Sequence, residues 1–267
     1  MSDEVIIKQS YGLGGSGNPI GIQNNYGLSV TDAIRMAFAL FKEYYPQLRE
    51  EALDTLKKLI TERLNNIPQD NIIPPKPRIA IPVLQNASIT DEIEVREMYA
   101  NFLANSMNKV VRNGVHPGFV EIIKQLSPDE AKILRYFSAH KSVPTIIMRV
   151  ENERHEGIDF VKNFSDIGEK CGCEDKYNLN KYFDNLIRLG LIDSAATLSS
   201  LIDKTQYEPL KTHPVMMQYK KKIENRPAPY NRVEFCESYL YLSDFGEAFC
   251  GVCLENENIK EAGIAQK

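Results

Sequence analysis

The sequence contains no tryptophan, four histidines and five cysteines in 267 residues, and it has no excess of positive charge. Lys and Arg total 32 against 36 Asp and Glu, so the net charge of −4 excludes a strongly cationic nucleic-acid coat protein. No apolar run reaches the roughly 18 residues that a membrane-spanning helix requires. Residues 1–10 also lack the basic start and apolar centre of a signal peptide. We therefore expect a cytoplasmic protein that does not bind membranes.

The cysteines do not form a pattern that predicts a disulfide framework or a metal site. Their odd number in a chain of this length favours free thiols. Cys250 and Cys253 have the spacing of a zinc-binding pair, but they fall on a predicted helix rather than in a turn. Cys171 and Cys173 are one residue too close for a usual zinc knuckle. We predict buried or idle thiols, with no metal and no cofactor.

Composition and periodicity divide the chain into three parts. Residues 1–28 form a Gly/Asn-rich head that is predicted to be flexible. Its G-x-G-x-x-G match at 12–17 lacks the strand and helix that a dinucleotide site requires. Residues 29–126 indicate a helical domain, and residues 127–267 indicate an α+β domain. The predicted fold class is mainly α, with an N-terminal helical layer and a C-terminal winged-helix-like α+β domain.

The helical layer is predicted to contain a proline-rich brace at 66–90. This segment has five prolines, and proline inside a helix removes a backbone hydrogen bond and clashes with the preceding turn. We therefore predict an extended segment that lies on the neighbouring helices. A helix is predicted to follow from Asp91 to Asn108, because its apolar residues recur at helical spacing.

The winged-helix prediction depends on the order of elements after residue 126. Ser127 begins a predicted helix, because Ser127-Pro128-Asp129-Glu130 has the pattern of a capping box. A strand is predicted over 143–150, with Pro144 favouring a sheet edge. The remaining predictions are helices over 164–171 and 178–189, a strand from Leu191, a strand over 232–242 and a last helix capped by Ser243. This order resembles a winged helix whose wing carries a long insertion at 194–231, with a helix of its own over 214–223.

One face of the predicted 91–108 helix is polar. Glu97, Asn101, Asn105 and Asn108 share this face, because helical residues three or four positions apart lie close together. A carboxylate beside several amides suits a polar ligand, and a solvated face or hydrogen bonds between helices would explain the pattern equally well. His116 precedes a helix start, where it suits a general base, a cap or a packing role.

Positive charge is concentrated at two places in the C-terminal part. The run Lys220-Lys221-Lys222 is the dense basic cluster, and the third winged-helix helix would expose Lys181, Asn185 and Arg188 together with Asp184. Residues 127–267 nevertheless carry 19 Lys and Arg against 22 Asp and Glu. Because phosphate binding needs several unneutralised cations, contact with a protein partner is at least as well supported as contact with nucleic acid.

The block EVREMYANFLANSMNKVVRNGVHPGFVEIIKQLSPDEAKIL resembles the Abi-alpha family of phage abortive-infection proteins. The resemblance includes the preceding segment PPKPRIAIPVLQNAS and excludes the Gly/Asn-rich head. Tyr99 stands where the family pattern leads us to expect Trp. The resemblance implies bacterial defence against phage, and it supplies no catalytic centre. The motif positions that become candidates for a binding face are Arg96, Glu97, Asn101, Asn105 and His116.

The sequence supports three candidate functions. The first is a non-catalytic sensor or regulator of anti-phage defence that contacts a protein partner or a phage component, either alone or as an oligomer. The second is a nucleic-acid-binding regulator or effector that uses the winged helix. The third, and least supported, is a hydrolytic effector with its site at Glu97, Asn101 and His116.

Overall fold

The computed structural model describes residues 27–44, 50–196 and 199–254. These ranges form eleven α-helices and one four-stranded antiparallel sheet, which is a mixed α+β fold. The helices that precede the sheet are α1 (Val30–Tyr44), α2 (Glu50–Asn65), α3 (Pro77–Ser88), α4 (Ile93–Ser106), α5 (Phe119–Ile123) and α6 (Pro128–His140). The other elements are β1 (Ser142–Glu151), β2 (Gly157–Phe164), α7 (Ile167–Lys170), α8 (Asn180–Arg188), β3 (Ile192–Ser194), α9 (Glu208–Lys211), α10 (Pro214–Glu224), β4 (Arg232–Leu242) and α11 (Asp244–Cys253). The dinucleotide-like glycines and most of the predicted flexible head lie outside the described residues.

Helix α4 lies at the centre of the helical layer. It packs against α2, α3, α5, α6 and α11, and most of its residues are buried. Phe102 on α4 meets Phe119 on α5 edge-to-face, with 6.2 Å between ring centroids, and Phe119 also contacts Phe249 on α11. These edge-to-face contacts join the central helix to the last helix of the fold.

The proline-rich segment is not extended throughout. Residues 66–76 connect α2 to α3, and Ile72 forms an isolated bridge with Asn108. Residues 77–88 are helical, so the prediction of an extended brace is wrong there. Pro77 occupies the first helical turn, where a missing N–H has no cost, but Pro82 lies inside the helix. Packing of the apolar face, including the fully buried Val83 and Leu84, outweighs the local cost of Pro82.

The predicted capping boundaries agree with the structure. The Ser127 hydroxyl accepts a hydrogen bond from the Glu130 N–H, and the Glu130 carboxylate accepts one from the Ser127 N–H. Ser243 caps α11 in the same way by accepting from the Gly246 N–H at 2.8 Å. Gly190 ends the α8 region with a φ of +72°, a conformation that favours glycine.

The sheet has the strand order β2-β1-β4-β3. Strand β1 is therefore internal, and the prediction that it lies at an edge is wrong. Pro144 pairs with Tyr239 of β4, whereas β2 reaches only as far as the pair Ile146–Phe164. Proline is tolerated because β1 has a single neighbour at Pro144. Strand β2 was not predicted from the sequence, and helix α8 begins after Asn178 rather than being capped by it.

The insertion between β3 and β4 packs on one face of the sheet. Tyr207, Leu210, Met216 and Ile223 from the insertion are buried against residues of β1 and β2. A second, larger apolar cluster continues from the helical layer through α6 and α8 to α11, across the predicted domain boundary at 126/127. None of the helices in the described ranges is long and apolar enough to cross a membrane.

Candidate functional site

The polar residues of α4 bind the end of α11. The Asn101 side-chain amide donates to the carbonyl of Cys253 at 3.1 Å, and the Asn105 amide donates to the carbonyl of Val252 at 2.7 Å. Carbonyls in the last turn of a helix have no partner within that helix. The two asparagines therefore satisfy the C-terminal end of α11 from a helix that lies about 150 residues earlier in the chain.

Asn101 is also bonded on its other side. The Arg63 guanidinium on α2 donates through Nε to the Asn101 side-chain oxygen. Asn101 is only 5% exposed, so it is not part of a solvated face. The hydrogen bonds between helices that we considered for this face are present in the structure. The arrangement joins α2, α4 and α11 through one amide.

The other motif residues bond to separate elements. Arg96 donates to the carbonyl of Thr90, just before α4, and Glu97 forms a salt bridge of 3.2 Å with Arg135 on α6. His116 accepts a hydrogen bond from the Gly118 N–H at 3.1 Å, within the turn that precedes α5. The structure thus uses these side chains for contacts with different neighbours rather than assembling them around one cavity.

The polar residues of α8 also bond within the protein. Lys181 forms an ion pair of 2.8 Å with Asp175. The Asn185 amide donates to Glu130 at 2.7 Å and to the carbonyl of Gln125 at 3.0 Å. Arg188 donates to the Gln125 side chain at 2.9 Å. These bonds attach α8 to α6 and the segment before it. Lys181 is paired with a carboxylate, whereas Arg188 bonds to the neutral amides of Gln125 and Asn185.

A second polar junction surrounds Asp129 at the start of α6. Asp129 is 5% exposed, and its carboxylate accepts from the backbone N–H groups of Glu174 and Asp175 and from the hydroxyl of Tyr182. Burial acts to raise the pKa of Asp129, but these hydrogen bonds and nearby Lys132 outweigh it and hold the pKa below its usual value. The junction fixes the loop before α8 on α6.

A groove lies between β2, the start of α8 and α10. Its volume is about 460 Å³, and its residues come from three distant parts of the chain. The lining comprises residues 159–164 of β2, Tyr177, Asn178, Asn180, Asp184, Val215, Met216 and Tyr219. The residues that line the groove are far apart in the sequence, and for this reason the groove was not predicted from the sequence.

Partly exposed aromatic rings form the walls of the groove. Phe160, Tyr177 and Tyr219 are 43%, 49% and 38% exposed. Phe160 and Tyr219 meet edge-to-face with 5.8 Å between centroids, and the Arg226 guanidinium lies 5.9 Å from the Phe160 ring. His213 lies against the rings of Phe164 and Tyr177. A cluster of exposed aromatic rings beside a cation is typical of a binding surface.

The lysine run lies on α10, next to this groove. Lys220 is 3.9 Å from Glu224, whereas Lys221 and Lys222 are exposed. Val215, Tyr219 and Lys222 share one face of α10 because they are spaced by four and three residues. The cluster predicted from the sequence is therefore adjacent to the aromatic walls, although the sequence did not indicate what it adjoins.

Four of the five cysteines lie at two separate places, and the fifth, Cys236, lies on β4. Cys250 and Cys253 are buried on α11, and burial raises the pKa of Cys250 to about 12 and that of Cys253 well above its usual value. Burial also raises the pKa of Cys171 to about 12 and that of Cys173 to about 11. These thiols stay protonated at neutral pH. In the described part of the chain, no group of three or more His, Cys, Asp or Glu side chains is placed to hold a metal ion.

The model of the family Abi_alpha, described as abortive infection alpha, matches residues 48–253. The chain belongs to the Abi_alpha family. This membership associates the protein with abortive-infection-type defence and confirms the resemblance of the central block. No curated protein gives a significant match.

A solved structure gives a weak match to this Abi_alpha chain. It is titled as the uncharacterized protein from the hydrocarbon-degrading marine bacterium Alcanivorax borkumensis SK2. The two chains are 16% identical, and the match covers 48% of this chain and 85% of that one. The TM-score of 0.34 is too low to establish a shared fold.

The groove and the resemblance block occupy different parts of the Abi_alpha chain. The block at 94–134 includes α5 and all but the first residue of α4, whose asparagines bind the end of α11. The groove is formed from residues after 158, also inside the family match. Its sequence signal is faint: Phe160 and Lys162 are two residues apart on β2, and Tyr219 directly precedes the lysine run. That signal becomes recognisable once the fold brings the two segments together.

Proposed function

We propose that this Abi_alpha protein acts in anti-phage defence as a sensor or regulator that binds a protein partner or a phage component, without catalysis. The observation that carries the proposal is the exposed aromatic surface of the groove, formed by Phe160, Tyr177 and Tyr219. Aromatic side chains are enriched where proteins bind partners, because they bury a large area at low entropic cost. The motif residues of α4 and His116 bond to other parts of the chain, which supports an architectural role for them rather than a catalytic one.

Contact with protein is better supported than contact with DNA. A winged helix that binds DNA would present cations from its third helix, the position of α8 in this proposal. Lys181 is paired with Asp175, Arg188 is bonded to Gln125, and Asp184 adds a negative charge on the same helix. The charges of Lys181 and Arg188 are thus offset by those of Asp175 and Asp184, and little net positive charge is left to replace counterions on phosphate.

A phage challenge tests the proposed function. Host cells that express the wild type should form fewer plaques than empty-vector cells for at least one phage of a broad panel. The double variant Phe160→Ala/Tyr219→Ala should lose this protection, because the walls of the groove are removed. Tyr241→Ala is the matched control, since Tyr241 is 37% exposed on β4 but does not line the groove. If every phage of the panel formed as many plaques on wild-type cells as on empty-vector cells, the proposal would be contradicted.

A mobility-shift assay tests the nucleic-acid alternative. At low salt, where electrostatic binding is strongest, we expect no sub-micromolar shift of duplex DNA by the purified protein. A tight, salt-sensitive shift that disappears in Lys181→Gln/Arg188→Gln would instead favour a DNA-binding regulator. Circular dichroism of the variant would establish that its fold is intact.

A further inference from the structure

We infer that the groove binds an extended acidic peptide of the partner as an additional strand along the outer edge of β2, with an apolar side chain of the peptide in the cavity. This inference rests on the proposed function and specifies the chemistry of its partner. The free edge of the sheet, the volume of the cavity and the charge around its rim each support it.

The first support is the open edge of the sheet. Strand β2 is the terminal strand of the order β2-β1-β4-β3, and its residues 159–164 line the groove. Its pairing with β1 is regular over residues 157–159 and shifts register twice between residues 159 and 164. Within the described part of the chain, the backbone N–H and C=O groups of residues 158–164 form no hydrogen bond outside the ladder with β1. An unpaired strand edge is a template on which an extended peptide can form main-chain hydrogen bonds.

The second support is the cavity beside that edge. Its volume of about 460 Å³ is large enough for a leucine or an aromatic side chain together with part of the peptide backbone. Phe160 and Tyr219 form its walls, and the buried Phe164 and Met216 contribute apolar surface. In β-strand addition, alternate side chains of the added strand enter such pockets and give specificity.

The third support is the charge at the rim. Lys162, Lys222 and Arg226 have no carboxylate within ion-pair distance among the described residues. On the acidic side, Asp159 is neutralised by Arg149 at 3.2 Å. Asp184 in the lining and Glu169, which accepts from the hydroxyl of the lining Tyr177 at 2.6 Å, remain as the two negative groups, against three cations. The balance of unpaired charge is positive. A peptide with acidic residues is electrostatically complementary to it.

The same charges argue against a second copy of this chain as the occupant. A second β2 edge carries the unpaired Lys162 and no unpaired carboxylate, because its Asp159 is held by Arg149, so it offers no charge complementary to the rim. Lysine on an edge strand is a known protection against such self-pairing. The geometry therefore favours a different, acidic segment.

A selection experiment identifies the peptide class. A displayed library of random peptides of about twelve residues, long enough to cover a strand such as β2, is selected on the full-length wild type and counter-selected on Phe160→Ala/Tyr219→Ala. We expect enriched peptides that combine Asp or Glu with a Leu, Ile or aromatic residue. Failure to enrich any peptide that distinguishes the two proteins would overturn the inference.

Two backbone-modified forms of the best enriched peptide test the strand geometry. In an added strand, alternate N–H groups point toward β2, so N-methylation of one alternate set should weaken binding by about a hundredfold, while methylation of the other set should leave it nearly unchanged. Fluorescence anisotropy of the labelled peptide measures both. Equal effects of the two modifications would show that the peptide does not bind as a strand.

Charge variants test the rim. The variant Lys162→Glu/Lys222→Glu should bind the acidic peptide about tenfold more weakly than the wild type does. The exposed pair Lys57→Glu/Lys58→Glu on α2 should have little effect on this affinity. Labelled oligo-dT of similar length is the competing probe, and tighter binding of oligo-dT than of any peptide would overturn the inference. If the variant Phe160→Ala/Tyr219→Ala still protected cells from phage, the groove would be excluded as the binding site, while the role in defence would stand. If the wild type protected against no phage of the panel, the proposed function itself would be rejected.

Discussion

At Asn101, one buried amide satisfies polar groups on two other helices. Its oxygen accepts from Arg63 of α2, and its nitrogen donates to Cys253 of α11. A buried hydrogen bond contributes modestly when it is formed, but its loss leaves the partner groups desolvated and unpaired. The importance of Asn101 therefore comes from the groups that it satisfies.

Asn101→Ala should lower the free energy of unfolding by about 1–3 kcal/mol, because a buried carbonyl and a guanidinium N–H lose their partner. Urea unfolding followed by circular dichroism measures the change. Glu97→Gln is the control on the same helix: its pair with Arg135 is partly exposed, so a change of about 0.5 kcal/mol or less is expected. An Asn101 variant as stable as the wild type would contradict the structural role.

Asp129 gives a second residue-level test, through pH. Its pKa in the folded protein is below the usual value, so the ionised carboxylate stabilises the fold above the pKa of the unfolded chain. This contribution decreases as the pH falls through the folded-state pKa. The hydrogen bonds from Glu174, Asp175 and Tyr182 are the physical source of the effect.

Asp129→Asn should therefore destabilise the protein by about 1–3 kcal/mol at neutral pH, and the difference from wild type should narrow as the pH falls below about 4. Urea unfolding at a series of pH values measures this difference. Asp193→Asn is the comparison, because Asp193 is exposed on β3 and its replacement should have little effect. A difference that stayed constant down to low pH would exclude the proposed linkage.

At the scale of elements, α3 contains a proline that local rules exclude. Pro82 has no N–H for the carbonyl of Arg78, four residues earlier in the helix. The helix is retained because Ile79, Val83 and Leu84 pack into the core of the helical layer. Tertiary packing of an amphipathic face thus decides the structure of this segment.

Pro82→Ala should raise the free energy of unfolding by about 1–2 kcal/mol, because the new N–H restores the missing bond and the gain exceeds the added entropy of the unfolded chain. Thermal and urea unfolding measure the increase. Pro77→Ala should change the free energy of unfolding by about 0.5 kcal/mol or less, because proline is already suited to the first turn of a helix. A destabilised Pro82 variant would indicate that the ring itself is required for packing.

At the scale of the whole molecule, the local signals of the sequence predicted more than its long-range contacts. The caps at Ser127 and Ser243 and the strand at 232–242 were predicted because their signals lie within a few residues. Strand β2 was missed because GIDFVKNF lacks a strict alternation of apolar and polar residues. The burial of Asn101 was not predictable, because helical periodicity shows which residues share a face but not what packs against it.

The groove illustrates the same limit for the candidate site. Its walls come from residues 159–164, 177–184 and 215–219, and their proximity depends on the insertion packing on the sheet. Phe160 and Tyr219 have no sequence relation that could indicate their contact. The lysine run was recognisable from composition, but its neighbours could be identified only from the fold.

The hydrogen bonds from α4 to the end of α11 have a consequence for synthesis of the chain on the ribosome. Asn101 and Asn105 are translated long before Val252 and Cys253, the residues whose carbonyls they bind. Until those residues leave the exit tunnel, the amides of α4 lack their native partners, and the central helix cannot complete its packing. A nascent or prematurely terminated chain therefore lacks the finished helical layer. The protein reaches its mature form only after Val252 and Cys253 have left the exit tunnel.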